Sequence, residues 1–179
     1  MASLSAKEHM IAALLILSDK SAHGKREDTT GPQMLAWLHQ RGVEVDEYTL
    51  LADEEDEIVE YLYAKAAAGN IDLIITCGGT GVAPRDRTPD ATLRVVERQI
   101  PGLAEAMRRV SAEKTPAALL SRAVAGIRNT TLILNVPGSP RAAQENLAAV
   151  WDAIPHAVAK IQGDTRDCVT QCSYIVDDS

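Results

Sequence analysis

Apolar runs alternate along the chain with segments of helical periodicity, and this alternation predicts an α/β fold. Apolar residues recur every four positions at Ile58, Leu62 and Ala66, which favours one buried face of a helix. Short segments rich in apolar and β-branched residues are typical of strands. Three such strands are predicted at residues 11–17, 43–51 and 71–76. Strands that alternate with helices form a mostly parallel sheet that helices cover on both faces.

Helix starts are marked by hydroxyl or carboxylate residues and by prolines. Thr88-Pro89 and Ser139-Pro140 each place a capping hydroxyl before a proline that suits the first helical turn. Asp53 follows the second strand directly and can cap the next helix. The helix from Thr88 is predicted to bury Leu93 and Val96. The helix from Ser139 is predicted to bury Leu147, Val150, Trp151 and Ile154.

The second half of the chain contains a predicted hairpin. Strands at residues 124–127 and 131–134 are joined by a tight turn at Arg128-Asn129. The length of 179 residues is typical of one domain, and we expect a single domain over residues 1–179. Residues 1–9 are predicted to be a disordered lead-in, and residues 163–179 form a polar tail with a short edge strand at 174–176.

Composition and charge exclude several classes of partner. Aromatic residues make up 3% of the chain and phenylalanine is absent, which disfavours base stacking on single-stranded nucleic acid. The net charge of −7 disfavours duplex nucleic acid and anionic membranes, so neither is an expected partner. The early apolar run is too short to span a bilayer and lacks a clean cleavage pattern, so a cytoplasmic location is expected.

Cysteine and histidine are not arranged for a disulfide framework or a zinc site. Cys168 and Cys172 lie four residues apart without nearby partners, which is more typical of incidental thiols. Cys77 ends a strand and is expected to pack as a small hydrophobic residue. The four histidines show no metal-ligand spacing.

A glycine-rich stretch follows the third strand and is the strongest candidate for an anion site. Gly78, Gly79 and Gly81 lead towards the helix start at Thr88, a layout in which backbone N–H groups and a helix N-terminus can contact phosphate. The triplet Arg85-Asp86-Arg87 adds guanidinium groups for phosphate and a carboxylate for a divalent cation. The alternative is a solvated charged loop.

Four predicted strands end in polar or glycine-rich loops, and parallel strands place such loops at one edge of the sheet. These loops lie at residues 18–20, at Asp53, at residues 77–81 and at residues 135–139. With no Ser–His–Asp set and no Walker A pattern, two separated carboxylates beside glycine loops indicate phosphoryl or nucleotidyl transfer with Mg²⁺. Two structural alternatives are an N-cap role for Asp53 and an ion pair between Asp86 and Arg85 or Arg122. Ser139 is compatible with a capping role alone.

The chain resembles the molybdenum-cofactor biosynthesis proteins, a family that includes molybdopterin adenylyltransferase and the related biosynthesis protein B. The resemblance covers residues 11–162. It rests on TCGGTG at 76–81, RD at 85–86, TPDAT at 88–92, SD at 18–19, Asp28 with Gly31, LAD at 51–53, PGL at 101–103, LSR at 120–122 and LNVPGSP at 134–140.

The resemblance implies a three-layer αβα sandwich that forms trimers or hexamers. It also implies that the phosphate of molybdopterin attacks the α-phosphate of ATP, the co-substrate, with Mg²⁺ as cofactor. Two aspartates required by the adenylyltransferases match Asp53 and Asp86, which are the implied catalytic and metal-binding residues. The implied substrate-binding residues are Ser18, Asp19, Gly78, Gly79, Thr80, Gly81, Pro89, Gly138 and Ser139.

Two other functions remain open alongside this expectation. One is a molybdopterin-binding protein that acts in cofactor assembly without catalysis. The other is a domain that serves only in oligomerisation. A downstream molybdenum-insertion protein is a further partner that the resemblance implies for the adenylylated product.

Overall fold

A computed structural model describes residues 9–165 and contains a six-stranded sheet in the order β2-β1-β3-β6-β5-β4. Strands β1, β2, β3 and β6 are parallel, and β5 pairs antiparallel with both β6 and β4. This confirms the predicted mostly parallel sheet with an antiparallel hairpin strand. The strands are β1 Met10–Leu17, β2 Val43–Leu51, β3 Leu73–Cys77, β4 Arg98–Gln99, β5 Ala125–Arg128 and β6 Thr131–Val136.

Seven α-helices and two short 3-10 helices surround the sheet within the described part of the chain. The 3-10 helices are Pro116–Leu120 and Trp151–Ala153. The α-helices are α1 Asp19–Ala22, α2 Thr30–His39, α3 Glu55–Ala67, α4 Thr88–Val95, α5 Pro101–Ala112, α6 Pro140–Val150 and α7 Ile154–Ile161.

Alternate strand residues build two cores, one on each face of the sheet, because neighbouring side chains of a strand point in opposite directions. Leu14 and Ile75 belong to the core that α2, α5, α6 and α7 cover. Leu15 and Ile74 belong to the other core, which α3 and α4 cover. The helices on both faces confirm the three-layer αβα architecture.

Two helical predictions were wrong in detail. The side chain of Leu93 is 45% exposed, whereas Ala91 and Val95, one turn apart, form the buried face of α4. The predicted helix through Ile154 instead ends at Val150, and the chain continues as a 3-10 turn at Trp151 before α7 begins. This break lets α7 pack separately on the same core, where Trp151 meets Trp37 edge to face at 4.9 Å between ring centroids.

Several terminal predictions lie outside the described residues, namely residues 1–8 of the lead-in predicted over 1–9, the edge strand at 174–176, Cys168 and Cys172. No helix of residues 9–165 combines the length and the apolar character needed to cross a membrane. Cys77 is fully buried in the sheet core, as expected of a small hydrophobic residue, and burial raises the pKa of its thiol.

The parallel strands end at one level, which brings their loops together. Leu17 pairs with Leu51, and Cys77 pairs with both Ile16 and Val136. The carboxyl ends of β2, β1, β3 and β6 therefore form a single edge of the sheet, where ligands bind in open α/β folds.

Candidate active site

A cavity of about 790 Å³ lies at this edge of the sheet. Residues that follow β1, β2, β3 and β6 form its walls, so the four loops predicted to converge do meet. The lining residues are Ile16, Leu17, Ser18, Asp19, Lys20, Ser21, Arg26, Glu27, Asp28, Thr29, Thr30, Asp53, Gly78, Gly79, Thr80, Gly81, Asp86, Gly138, Ser139 and Pro140.

The predicted site residues fall almost entirely within this lining. Pro89 is the exception, because it is buried in the first turn of α4 and does not line the cavity. The arrangement brings the remaining predicted residues together from positions far apart in the chain. They are Ser18, Asp19, Asp53, Gly78, Gly79, Thr80, Gly81, Asp86, Gly138 and Ser139.

The glycine loop has a backbone that side chains would obstruct. Gly78 and Gly79 have φ angles of +119° and +59°, in the left-handed region that favours glycine. A Cβ on Gly79 would lie 2.7 Å from Asp53 Oδ1 and would also overlap Thr88 Oγ1. The Asp53 carboxylate therefore lies directly against the loop.

Thr88 holds the loop onto α4 instead of capping the helix. Its hydroxyl donates to the Gly78 carbonyl at 2.8 Å, and its amide donates to the Gly79 carbonyl at 3.2 Å. Arg87 occupies the N-cap position, where its side chain forms no capping bond, so the predicted capping role of Thr88 was wrong. The fully buried hydroxyl finds its partner across the loop because strand and helix approach closely there.

The loop after β6 forms the adjacent wall of the cavity. A Cβ on Gly138 would lie 3.2 Å from the Cα of Gly78, so the two loops touch through their backbones. Thr30 donates its hydroxyl proton to the Gly138 carbonyl at 2.7 Å. Ser139 accepts from the Ala142 amide at 3.3 Å, which confirms its N-cap role at α6. The N-terminus of α6 therefore faces the cavity with its partial positive charge.

Asp53 does not cap α3. Its Oδ2 accepts from the Asp19 amide at 3.1 Å, while the N-cap residue of α3 is Glu54, which makes no capping bond with its side chain. Oδ1 of Asp53 is buried and has no hydrogen-bond partner among the described residues. Burial raises the pKa of this carboxyl, and the negative charges of Asp19 and Asp86 raise it further.

Asp19 lies between Asp53 and an arginine. Its Oδ1 accepts from the Asp53 amide at 3.0 Å, and the Arg85 guanidinium donates to both of its carboxylate oxygens at 2.8 and 3.0 Å. The hydrogen bond from Arg85 lowers the pKa of Asp19 to about 2, with the Asp53 amide as the next cause. Arg85 also donates to Glu54 at 2.7 Å.

Asp86 presents its carboxylate to the glycine loop. Its Oδ2 accepts from the Ala83 amide at 2.8 Å and lies 2.7 Å from the position of a Cβ on Gly81. The predicted alternative of an ion pair with Arg85 or Arg122 was wrong. Arg85 pairs with Asp19 and Glu54, and Arg122 contacts the Asp86 carbonyl, not its carboxylate.

Arg122 fixes the far side of the loop. It donates to the Gly81 carbonyl at 2.8 Å and forms a two-pronged pair with the Asp90 carboxylate at 2.9 Å. The Arg122 amide donates to the Thr80 carbonyl at 2.8 Å. This one side chain therefore joins the glycine loop, the Asp86 segment and α4.

The segment after β1 contributes cavity residues that the sequence prediction did not name as site residues. Arg26 donates to the Ser18 hydroxyl at 3.1 Å, and Lys20 and Arg26 both line the cavity. Asp28 accepts from the amides of Thr30 and Gly31 at 2.8 and 3.1 Å and thereby shapes the start of α2. The unusual length of this polar loop was the only signal that could have identified these residues.

The donor set at Asp53 and Asp86 fits a divalent cation that substrate phosphates help to bind. Oδ1 of Asp53 is a buried carboxylate oxygen without a partner in the described part of the chain, and Asp86 uses only Oδ2 there. Residues 9–165 contain no group of three or more His, Cys, Asp or Glu side chains suited to a metal. Mg²⁺ commonly uses one or two carboxylates together with phosphate oxygens and water.

Comparisons by sequence and by structure both match this chain to molybdopterin-related proteins. Residues 13–156 match a protein family described as a probable molybdopterin binding domain. The molybdopterin adenylyltransferase of Helicobacter pylori is 41% identical over 153 residues, which cover 84% of this chain and 87% of that protein. The enzyme of the same name from Haemophilus influenzae is 42% identical over 82% of this chain and 76% of its own length.

Solved structures agree with these sequence matches. The molybdopterin biosynthesis enzyme MoaB of Thermus thermophilus superposes with a TM-score of 0.81 at 48% identity, covering 86% of this chain and 97% of its own. The molybdopterin biosynthesis Mog protein of Mycobacterium ulcerans gives a TM-score of 0.79 at 40% identity, with the same two coverages.

Proposed function

We propose that this chain, which belongs to the molybdenum-cofactor biosynthesis family of probable molybdopterin binding domains, transfers an adenylyl group from ATP to molybdopterin. Relatives 41% and 42% identical to it are named molybdopterin adenylyltransferase. The observation that carries the proposal is the buried Asp53 oxygen that lies unpaired against the glycine loop, in the cavity that Asp86 also lines.

The proposed reaction requires no general base. An ionised phosphate oxygen of molybdopterin forms a bond to the α-phosphorus of ATP, and the bond from that phosphorus to the bridging β-oxygen breaks. The electron pair leaves with pyrophosphate, so no proton has to be removed from the nucleophile. Catalysis then depends on alignment and on neutralisation of charge.

The chain supplies alignment through its backbone. The positive φ angles of Gly78 and Gly79 let the loop turn tightly against Leu17, Asp53 and Thr88, and Gly138-Ser139 begins a helix beside the loop. We propose that Gly78–Gly81 and Gly138-Ser139 bind the pterin and its phosphate, with Ser18 at the border. Asp19, whose oxygens bond Arg85 and the Asp53 amide, orients Asp53.

Asp53 and Asp86 are the residues that would hold Mg²⁺. The metal would neutralise charge on the phosphate oxygens when bound. The raised pKa of Asp53 reflects a carboxylate held away from water, where attraction to a cation is stronger than at the surface.

Two substitutions test this proposal directly. Asp53→Ala and Asp86→Ala are each expected to abolish pyrophosphate release and adenylyl-molybdopterin formation while leaving the fold intact by circular dichroism. Asp56→Ala is a matched control, because Asp56 is an exposed carboxylate that pairs with Arg94 away from the cavity. Unchanged turnover in both site variants would overturn the proposal.

A binding assay separates catalysis from binding alone. Purified protein is titrated with molybdopterin in the presence and absence of Mg²⁺ and ATP. Tight molybdopterin binding without pyrophosphate release would indicate a non-catalytic protein of cofactor assembly. Failure to bind either pterin or nucleotide would indicate a domain used for oligomerisation.

We further propose that the protein works in the cytoplasm as a trimer or hexamer and that its product passes to a molybdenum-insertion protein. Leu119 and Leu120 are 68% and 56% exposed on a 3-10 helix, a surface that association with another chain would cover. Analytical ultracentrifugation at micromolar concentration tests the assembly, and a monomer would contradict it.

A further inference from the structure

A second cavity of about 270 Å³ adjoins the candidate active site. Asp19 and Lys20 line both cavities. Four of its five lining residues are basic. The five are Asp19, Lys20, His23, Lys25 and Arg85.

The local fold of the chain places Lys20 and Lys25 in the lining of the same cavity. The short helix α1 ends in a turn in which the Lys25 amide donates to the Lys20 carbonyl at 2.8 Å. His23 is held in the same turn, where its ring nitrogen Nδ1 lies 2.6 Å from the Asp19 carbonyl oxygen. These backbone contacts bring side chains five positions apart to one wall of the cavity.

Among the described residues, the positive charges of the two lysines are uncompensated, whereas Arg85 is paired with carboxylates. Within residues 9–165, neither Lys20 nor Lys25 forms an ion pair. Arg85 uses Nε and Nη2 on Asp19 and Glu54, and its Nη1 has no partner among the described residues. Two unpaired ammonium groups beside an unused guanidinium nitrogen repel each other, and a bound anion would offset that repulsion.

The larger cavity has the opposite balance. Its lining carries the carboxylates of Asp19, Glu27, Asp28, Asp53 and Asp86 against two basic side chains, Lys20 and Arg26. Because like charges repel, the most negative part of a nucleoside triphosphate is poorly matched to the larger cavity. The neighbouring basic cavity is matched to it.

We propose that the basic cavity formed by Lys20, Lys25 and Arg85 binds the β- and γ-phosphates of the nucleotide and, after transfer, the departing pyrophosphate. This inference rests on the proposed function, because it assigns a subsite to the nucleotide of that reaction. When the bond between the α-phosphorus and the bridging oxygen breaks, negative charge develops on that oxygen. Cations placed at the leaving group stabilise this charge.

The test uses inorganic pyrophosphate as the probe, so that binding is measured without any turnover. Isothermal titration calorimetry compares the unaltered full chain with the double variant Lys20→Ala/Lys25→Ala. The loss of two charge-assisted contacts is expected to weaken pyrophosphate binding roughly tenfold to a hundredfold. The charge-conserving variant Lys20→Arg/Lys25→Arg is expected to keep most of the affinity.

A matched control separates a local site from a general effect of charge. Arg109→Ala/Lys114→Ala also removes two positive charges, but from residues that line neither cavity. This control is expected to bind pyrophosphate as the unaltered chain does. Equal affinities for the two double alanine variants, or no binding by the unaltered chain, would overturn the inference.

Turnover measurements distinguish failure of this inference from failure of the proposed function. The Lys20→Ala/Lys25→Ala variant is expected to show a raised KM for ATP. Adenylylation with an unaltered KM for ATP in this variant would reject the subsite and retain the function. Pyrophosphate binding that depends on both lysines, without adenylylation by the unaltered chain, would reject the function alone.

Discussion

Asp19 and Asp53 bind each other reciprocally, since the amide of each donates to the carboxylate of the other at 3.0 and 3.1 Å. This exchange joins the loops after β1 and β2 and fixes the direction of the Asp53 side chain. Arg85 then connects the pair to the glycine loop through the Asp19 carboxylate. Three loops of the candidate site are therefore coupled through one aspartate.

The stability of the protein should depend on Asp19 at low pH. Its folded-state pKa of about 2 lies below the ordinary value of 3.8, so its contribution is fully present above pH 3.8. As pH falls from 3.8 to about 2, the unfolded chain binds the proton first and this contribution is lost. Denaturant unfolding from pH 5 to pH 2.5 should show a smaller drop for Asp19→Asn than for the unaltered chain. An identical drop in both proteins would argue against this pairing.

Asp53 should have the opposite effect on stability from Asp19. At pH 7 its carboxylate has a buried, unpaired oxygen near two other negative charges. Asp53→Asn keeps an acceptor for the Asp19 amide and removes the charge, so the free energy of unfolding should rise by about 1 kcal/mol. Urea unfolding measures the change, and pyrophosphate release should be lost in the same variant. A less stable Asp53→Asn protein would contradict the inference that the charge of Asp53 destabilises the folded state.

Gly79 should tolerate alanine far less well than another glycine of similar backbone conformation. Gly69 has a φ angle of +76° with nothing within 4 Å of a Cβ, so Gly69→Ala should cost about 1 kcal/mol of backbone strain. Gly79 has a φ angle of +59°, and its Cβ would overlap Thr88 and Asp53. Gly79→Ala should therefore cost about 2–4 kcal/mol, since crowding adds to the strain. Equal unfolding midpoints for the two variants would show that the loop can move away.

Arg122 should matter more for activity than for stability. Lysine at this position cannot reproduce the fork that reaches Gly81, Asp86 and Asp90 together, so the loop should lose its alignment. Arg122→Lys should lower turnover roughly tenfold to a hundredfold, because small misplacements of reacting groups are costly. Its stability should change by less than about 1 kcal/mol, as is usual for exposed ion pairs.

Arg94→Lys is the matched control for Arg122→Lys. Arg94 is likewise an ion-paired arginine of comparable exposure, but its partners are the carboxylates of Glu55 and Asp56 and it lies away from the cavity. Its turnover should remain that of the unaltered chain. A similar loss of turnover in both variants would assign the effect to α3 and α4 in general.

Local patterns in the sequence were sufficient to predict five of the six strands of the sheet. The strand at 43–51 was predicted with the bounds that β2 has in the structure, because its apolar and polar residues alternate between turn signals. Strand β4 was missed, since its two exposed residues carry no periodic pattern. Helix α1 was missed for a similar reason, as its four residues lie within a polar segment.

Contacts between distant loops could not be predicted from the sequence. The pairing of Arg85 with Asp19 joins residues 66 positions apart, and nothing in either segment specifies the other. Asp53 was interpretable as a cap because its local sequence allows that role, but the Asp19 amide competes for its carboxylate in three dimensions. The meeting of the four loops was predictable only because parallel strands require it.

The position of β2 at the outer edge of the sheet has a consequence for local unfolding. Asp53 follows this edge strand, which pairs only with β1, whereas the glycine loop follows β3 between two neighbours. Edge strands open at lower free energy than central strands, so amide hydrogens of β2 should exchange with solvent before those of β3. A transient opening of β2 would move the Asp53 carboxylate out of the site and leave the glycine loop in place. On heating, catalysis would then be lost at a lower temperature than substrate binding.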